Sequence, residues 1–168
     1  KASEELNRFN DYVIQNNYVD LPVVGIEPSC LLTFNDEYQT LKNVNNKEQI
    51  KNKFYLLEEF ILEQIRNNNN IKANKFDQNV LIHGHCHQKS QDRMKGLTNL
   101  LSELNINNKM IESSCCGMAG SFGYDSKTYE VSKKMANLSL IPAINNSGEK
   151  DFIVANGTSC RHQISDLS

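Results

Sequence analysis

Apolar positions recur along this 168-residue chain at two periods. Leu6, Phe9 and Val13 return at helical spacing while Glu4, Glu5, Arg8 and Asp11 lie off that stripe. This predicts a helix over 1–17, ended by Asn16 and Asn17. The run 21–26 predicts a short buried strand. Glu27-Pro28-Ser29-Cys30 then opens a short helix near 31–34, with proline in its first turn. From 36 to about 70 the pattern is helical, with Phe54, Leu57, Ile61 and Ile65 on one stripe and Lys51, Lys53, Glu58, Glu59 and Glu63 mostly off it. Residues 67–70, four asparagines, read as a loop. Residues 79–84 predict a strand that breaks at Gly84, with His85-Cys86-His87 in the turn after it. A helix over 91–104 carries Met94, Leu97, Leu101 and Leu104, and 109–112 is the next strand. One helix is expected over 126–145, with Val131, Met135, Leu138 and Ile141 inward and Pro142 bending or ending it. Residues 152–155 form the last strand, and a closing helix runs from 161 to 167.

Strands alternating with helices define an α/β fold with a mostly parallel sheet flanked by helices. Cys86, the Cys115–Cys116 pair and Cys160 each follow a strand at its carboxyl end, the edge where such sheets bind ligands. Three separate segments are therefore expected to meet on one rim.

Net charge is −2, with 18 basic and 20 acidic residues. That balance carries no footprint for nucleic acid. No apolar run approaches the roughly 20 residues of a membrane span, and the charged, amphipathic start is no signal peptide. Five cysteines without an export signal point to a reducing compartment, where clustered thiols mean metal or redox chemistry.

The chemistry centres on Glu112-Ser113-Ser114-Cys115-Cys116-Gly117-Met118-Ala119-Gly120. Adjacent side chains on an extended segment point to opposite sides, so both thiols reach one site only where the backbone bends. Gly117 and Gly120 supply that bend, and it turns successive N–H groups inward as a nest for anionic sulfur. Cys86, Cys115, Cys116 and Cys160 are the expected metal ligands, with Cys30, His85 and His87 as weaker candidates. Gly117, Gly120 and His162 are the expected outer contacts, His162 as a donor to sulfur. His83, inside a strand, reads as a satisfied core histidine. Four thiolates, or three with His85 or His87, also suit a structural zinc ion, although no Cys-x-x-Cys pair is present. Thiol catalysis at Cys86, or disulfide cycling of Cys115 with Cys116, is a third reading.

The stretch 23–30 echoes 153–160: each is a strand, a four-residue break, then Ser-Cys opening a helix. This suggests two related βα halves, the first of them truncated, with a helical insertion over 36–78 between them.

Glu27-Pro28-Ser29-Cys30, His83-Gly84-His85-Cys86-His87-Gln88, Cys115-Cys116-Gly117-Met118-Ala119-Gly120 and Gly157-Thr158-Ser159-Cys160-Arg161-His162-Gln163 together resemble the cysteine-rich CCG domain. That domain occurs in the iron–sulfur subunit of glycolate oxidase, in heterodisulfide reductase and in flavin-linked 2-hydroxy-acid dehydrogenases. The resemblance implies that residues 1–168 are one such domain, the C-terminal part of a larger oxidoreductase. It implies an electron-transfer role between FAD on an upstream domain and an acceptor such as quinone, with ferredoxin-like domains as partners. The expected location is cytoplasmic, held at the inner face of the membrane through those partners. Where the family's closing motif begins with a cysteine, this chain has Gly157. The four thiols that remain match the number a 4Fe–4S cluster needs.

Overall fold

The computed structural model describes residues 1–51, 53–67, 71 and 74–168. Its strands are all parallel and flanked by helices, but they form two sheets where the sequence suggests one. The first unit begins with α1 (Ala2–Gln15), which buries Leu6, Asn10 and Val13. Leu6 and Val13 join Leu31, Leu32, Ile50, Phe54 and Leu56 in one core. The buried Asn10 reaches the Asn45 carbonyl through Nδ2 at 2.5 Å. Strand β1 (Val23–Gly25) leads into α2 (Pro28–Asn35), then α3 (Glu37–Thr40) and α4 (Lys47–Ile50). Strand β2 (Phe54–Leu56) pairs with β1, Val23 opposite Phe54, and α5 (Leu57–Asn67) follows directly.

Two expectations change here. The strand expected to be buried is a half-exposed edge, and Ile26 just beyond it is 74% exposed. The stretch expected to be helical from 36 is broken by β2. Phe54 and Leu56 are buried and Tyr55 between them is not, the alternation of a strand. Phe54 and Leu57 also fall three apart, so a helical stripe absorbs these three residues. Residues 68–70 of the expected asparagine loop lie outside the described residues.

The second unit carries the chemistry. Its sheet has the order β4-β3-β5, with β3 (Val80–His83) central between β4 (Asn108–Met110) and β5 (Phe152–Ala155). After β3 come α6 (Cys86–Ser90) and α7 (Met94–Glu103), so Cys86 opens a helix and does not lie in a turn. The helix expected over 126–145 is two, α8 (Tyr129–Ala136) and α9 (Leu140–Asn145). Pro142 ends neither, because it is the third residue of α9, where no intrahelical bond is lost. Ser132 and Ala136 face inward on α8, while Val131 and Leu138, expected on the core stripe, are exposed. The last helix, α10 (Thr158–Leu167), begins early enough to take Cys160 into its first turn. Cys30 and Cys160 are the third residues of α2 and α10, which is the echo seen in the sequence. Among the described residues no helix is long and apolar enough to cross a membrane.

Carboxylates tie the units together, Glu58 and Glu27 among them. Glu58 of α5 is buried, and one of its oxygens accepts from Gln88 Nε2 and Asn156 Nδ2, at 2.7 Å each. Burial pushes this carboxyl above its ordinary value. Glu27 caps two helices at once. It is the N-cap of α2, where Oε1 accepts from Ser29 Oγ at 2.7 Å. Its Oε2 accepts from Thr158 N and Oγ1 at the start of α10, at 2.8 Å each. Burial acts to raise its pKa, but the hydrogen bonds from Ser29 and Thr158 outweigh it and hold the group below the usual carboxylate range.

Glu27→Ala leaves two helix starts uncapped and is expected to destabilise the fold by about 2 kcal/mol in urea unfolding. The loss should depend on pH. A carboxyl whose pKa falls on folding stabilises the native state above its unfolded value, and that contribution disappears as pH drops through the lower folded value. Wild type and Glu27→Ala should therefore converge in stability in acid. A gap that persists there would mean the glutamate acts through something other than its charge.

Candidate metal centre

Each strand of the second sheet delivers sulfur at its carboxyl end. Cys86 is the first residue of α6 after β3. Cys115 and Cys116 lie on the loop after β4, and Cys160 lies in the first turn of α10 after β5. All four line one cavity of about 380 Å³, together with His85, His87 and Gly120. Cys116 and Cys160 are buried, while Cys86 and Cys115 are half-buried. The expected ligand set is thus brought together by chain segments far apart in sequence.

The loop is shaped by left-handed residues. Gly117 has φ +89° and Gly120 φ +64°, and Ala119 between them is also positive at +29°. The bend turns N–H groups onto sulfur, as expected of a nest. Gly117 N donates to Cys115 Sγ at 3.3 Å, and the Met118 N–H donates to Cys116. Lys89 of α6 holds the loop from below, its Nζ donating to the Ser113 and Ser114 carbonyls. Burial lowers the Lys89 pKa, and the four thiols around it work in the opposite direction.

Charge is unevenly shared among the sulfurs. Cys116 is pushed down to about 4, chiefly because the Cys160 thiol donates to it. Burial opposes this, while the nearby His83 ring and the Met118 N–H add to it. Cys160 is correspondingly pushed up, by that donated bond and by burial. Burial first, and then the charge of Cys115, pushes Cys86 up to about 11. The thiols that act on one another most strongly thus stand at different strand ends, Cys160 on Cys116 and Cys115 on Cys86.

His83 is the residue that sequence reasoning missed. It is buried, its Nδ1 lies 2.8 Å from Ser113 Oγ, and its Nε2 has no hydrogen-bond partner. A buried polar atom without a protein hydrogen bond is costly, and the ring stands close enough to Cys116 to favour its thiolate, so a residue that reads as core belongs to the sulfur centre. Its ligand nitrogen, Cys116 Sγ and Cys160 Sγ all lie within 4.8 Å of one another. The available signal was its position as the last residue of β3, two before His85.

Two candidates lie elsewhere. Cys30 is exposed on α2 and outside the cavity, although Ser29 beside it contributes to the lining. His162 is exposed on α10 with Nδ1 2.7 Å from Tyr124 Oη, and it does not line the cavity. His87 is half-buried and packs edge-on to His85 with ring centres 5.4 Å apart. His85 is buried, and burial lowers its pKa. Four sulfurs around one cavity, a stabilised thiolate, N–H donors on sulfur and an unpaired buried imidazole nitrogen fit a metal or iron–sulfur group.

An α/β fold that gathers cysteines from three strand ends in this way defines a cysteine-rich metal-binding domain. The family model described as CCG, cysteine-rich domain, matches residues 80–165, and the chain belongs to that family. Among curated relatives, it is 24% identical over 145 residues to one of the subunits of the anaerobic glycerol-3-phosphate dehydrogenase of Escherichia coli K12, covering 86% of this chain and 36% of that protein. It is 21% identical over 150 residues to D-2-hydroxyglutarate dehydrogenase of Pseudomonas putida, covering 88% of this chain and 14% of the relative. The enzyme of the same name from Escherichia coli K12 is 24% identical over 170 residues, covering 95% and 16%. The chain therefore spans only a minor part of the length of the relatives it matches. No solved structure matches it.

Proposed function

We propose that this chain is the iron–sulfur electron-transfer domain of a flavin-linked dehydrogenase, with Cys86, Cys115, Cys116 and Cys160 holding a 4Fe–4S cluster. The observation that carries this reading is the convergence of those four sulfurs on one cavity. The dehydrogenase names of the relatives support it. On this reading the chain works with flavin and ferredoxin-like domains of the same protein or complex, in the cytoplasm or at the inner face of the membrane through them. Electrons released when a 2-hydroxy acid is oxidised at FAD on another domain leave through this chain to an acceptor such as quinone. When bound, the cluster supplies one-electron transfer. The chain's own residues fix the sulfurs at three strand ends, donate N–H from Gly117 and Met118, and set the cation of Lys89 beside the thiolates. No substrate-binding step is assigned to it.

A single zinc ion is the second reading. It is favoured by the buried set His83, Cys116 and Cys160, whose ligand atoms lie close enough to share one ion. Anaerobic reconstitution with iron and sulfide, followed by an absorbance spectrum and iron, sulfide and zinc analysis, separates the two. The expected product is brown and holds about four irons. A colourless protein with one zinc moves the conclusion to the second reading. Retention of neither metal overturns both and leaves thiol chemistry.

A further inference from the structure

His85 and His83 both sit at this centre, but their ring nitrogens are committed differently. His85 is the N-cap residue of α6, and its Nδ1 accepts the backbone N–H of His87 at 3.2 Å. A ring nitrogen that accepts carries no proton, so on the neutral ring the proton is at Nε2. A metal ligand needs a bare nitrogen, and the bare nitrogen of His85 is already engaged by the helix start. His83 is arranged the other way round, with Nδ1 at Ser113 and Nε2 buried and unpaired.

The Nε2 edge of His85 points where Gly157 leaves room. A Cβ on residue 157 would lie 2.2 Å from His85 Cδ2, 3.0 Å from its Nε2 and 3.2 Å from Cys160 Sγ. The Nε2–H group and the Cys160 sulfur therefore flank one point in space, and a side chain at 157 would displace the ring from where it stands. Gly157 has an ordinary φ of −75°, so its backbone does not require glycine. The ring does.

We propose that His85 is a hydrogen-bond donor to sulfur at this centre and not a metal ligand, and that residue 157 is glycine in order to admit its ring. The proposal rests on the iron–sulfur reading above. A donor to sulfur stabilises the more negative, reduced state of a cluster and so raises its potential.

The test uses the full chain and two variants. His85→Asn keeps the cap, since asparagine is a good N-cap acceptor, but its amide is too short to replace Nε2–H. Gly157→Ala keeps the histidine and displaces its ring. After reconstitution both should hold the wild-type complement of iron. At a fixed poise the ratio of reduced to oxidised cluster should fall roughly tenfold in each, the loss of one hydrogen bond to a charged group. In the metal-free wild type, nitrogen-15 NMR of labelled histidine should find His85 protonated at Nε2. Loss of iron in His85→Asn would make His85 a ligand and overturn the proposal. An unchanged ratio in both variants, or a proton at Nδ1, would overturn it as well. If the wild type takes up no iron, the iron–sulfur reading fails, and the tautomer alone then decides whether His85 is built as a donor.

Discussion

Cys116→Ser is expected to lower the metal affinity of the site by on the order of 100-fold or more, since even removal of a group behind a ligand costs about 10–100-fold. Cys116 is the sulfur on which the local charge is concentrated. It is only 2% exposed, yet the donated Cys160 thiol, the His83 ring and the Met118 N–H all favour its thiolate form. A serine hydroxyl in the same place stays protonated and offers a metal no anion. The fold should tolerate the change. Serine is close to cysteine in size and the hydrogen bond from Cys160 can persist, so stability should move by only about 1 kcal/mol. Cys30→Ser is the matched control. That cysteine echoes Cys160 in helix position but is exposed and outside the cavity, so its replacement should leave metal content unchanged. Metal analysis and thermal unfolding of the two variants beside wild type check both halves of the expectation. Equal metal loss in the two would place the site somewhere other than the cavity at the strand ends. Full retention in Cys116→Ser would leave Cys86, Cys115 and Cys160 to hold the group without it.

The contrast between Cys30 and Cys116 marks where sequence legibility stops. The strands β3 and β5 were readable because each is an apolar run closed by a polar or glycine break, and β4 because Met110 and Ile111 precede the polar break at Glu112; their cysteines follow from the polarity of a parallel sheet. The echo between 23–30 and 153–160 was also readable, and it placed Cys30 and Cys160 at the same helical position. It could not say that Ser29, and not Cys30, would face the cavity, because that depends on how α2 packs against α6. β2 escaped because three residues are too few to show a period against the helix that follows them. His83 escaped for a different reason. A strand-end histidine reads as core in one dimension, and only its closeness to Cys116 and Cys160, 33 and 77 positions further on, shows that its ring faces sulfur. Local propensity thus located the elements and the thiols, while the environment of each ligand came from contacts between segments remote in sequence.

Gly117→Ala is expected to destabilise the fold by about 2–5 kcal/mol, a large fraction of the roughly 5–15 kcal/mol that holds a domain together. Two costs coincide at this position. At φ +89° an L side chain is strained by about 1–2 kcal/mol. The added Cβ would also lie 2.3 Å from the Ser132 carbonyl oxygen and 3.2 Å from Gln163 Nε2. The first of these is backbone of α8 and cannot rotate away. Ser132 is buried and is itself held by Gln163, whose Nε2 donates to Ser132 Oγ at 2.9 Å. Relief requires α8 to separate from the loop, which breaks the link to α10 and carries Cys116 with it, and forced overpacking of this kind costs about 1–3 kcal/mol. Gly120→Ala isolates the first cost, because Gly120 shares the left-handed backbone at φ +64° but has nothing within 4 Å of the added atom. It should lose only about 1–2 kcal/mol. Urea unfolding of the pair tests the geometry directly. Equal losses would mean that the loop does not press against Ser132. A large excess for Gly117→Ala, accompanied by weaker metal retention, would show that the seat of the loop on α8 is what holds the Cys116 sulfur at the rim.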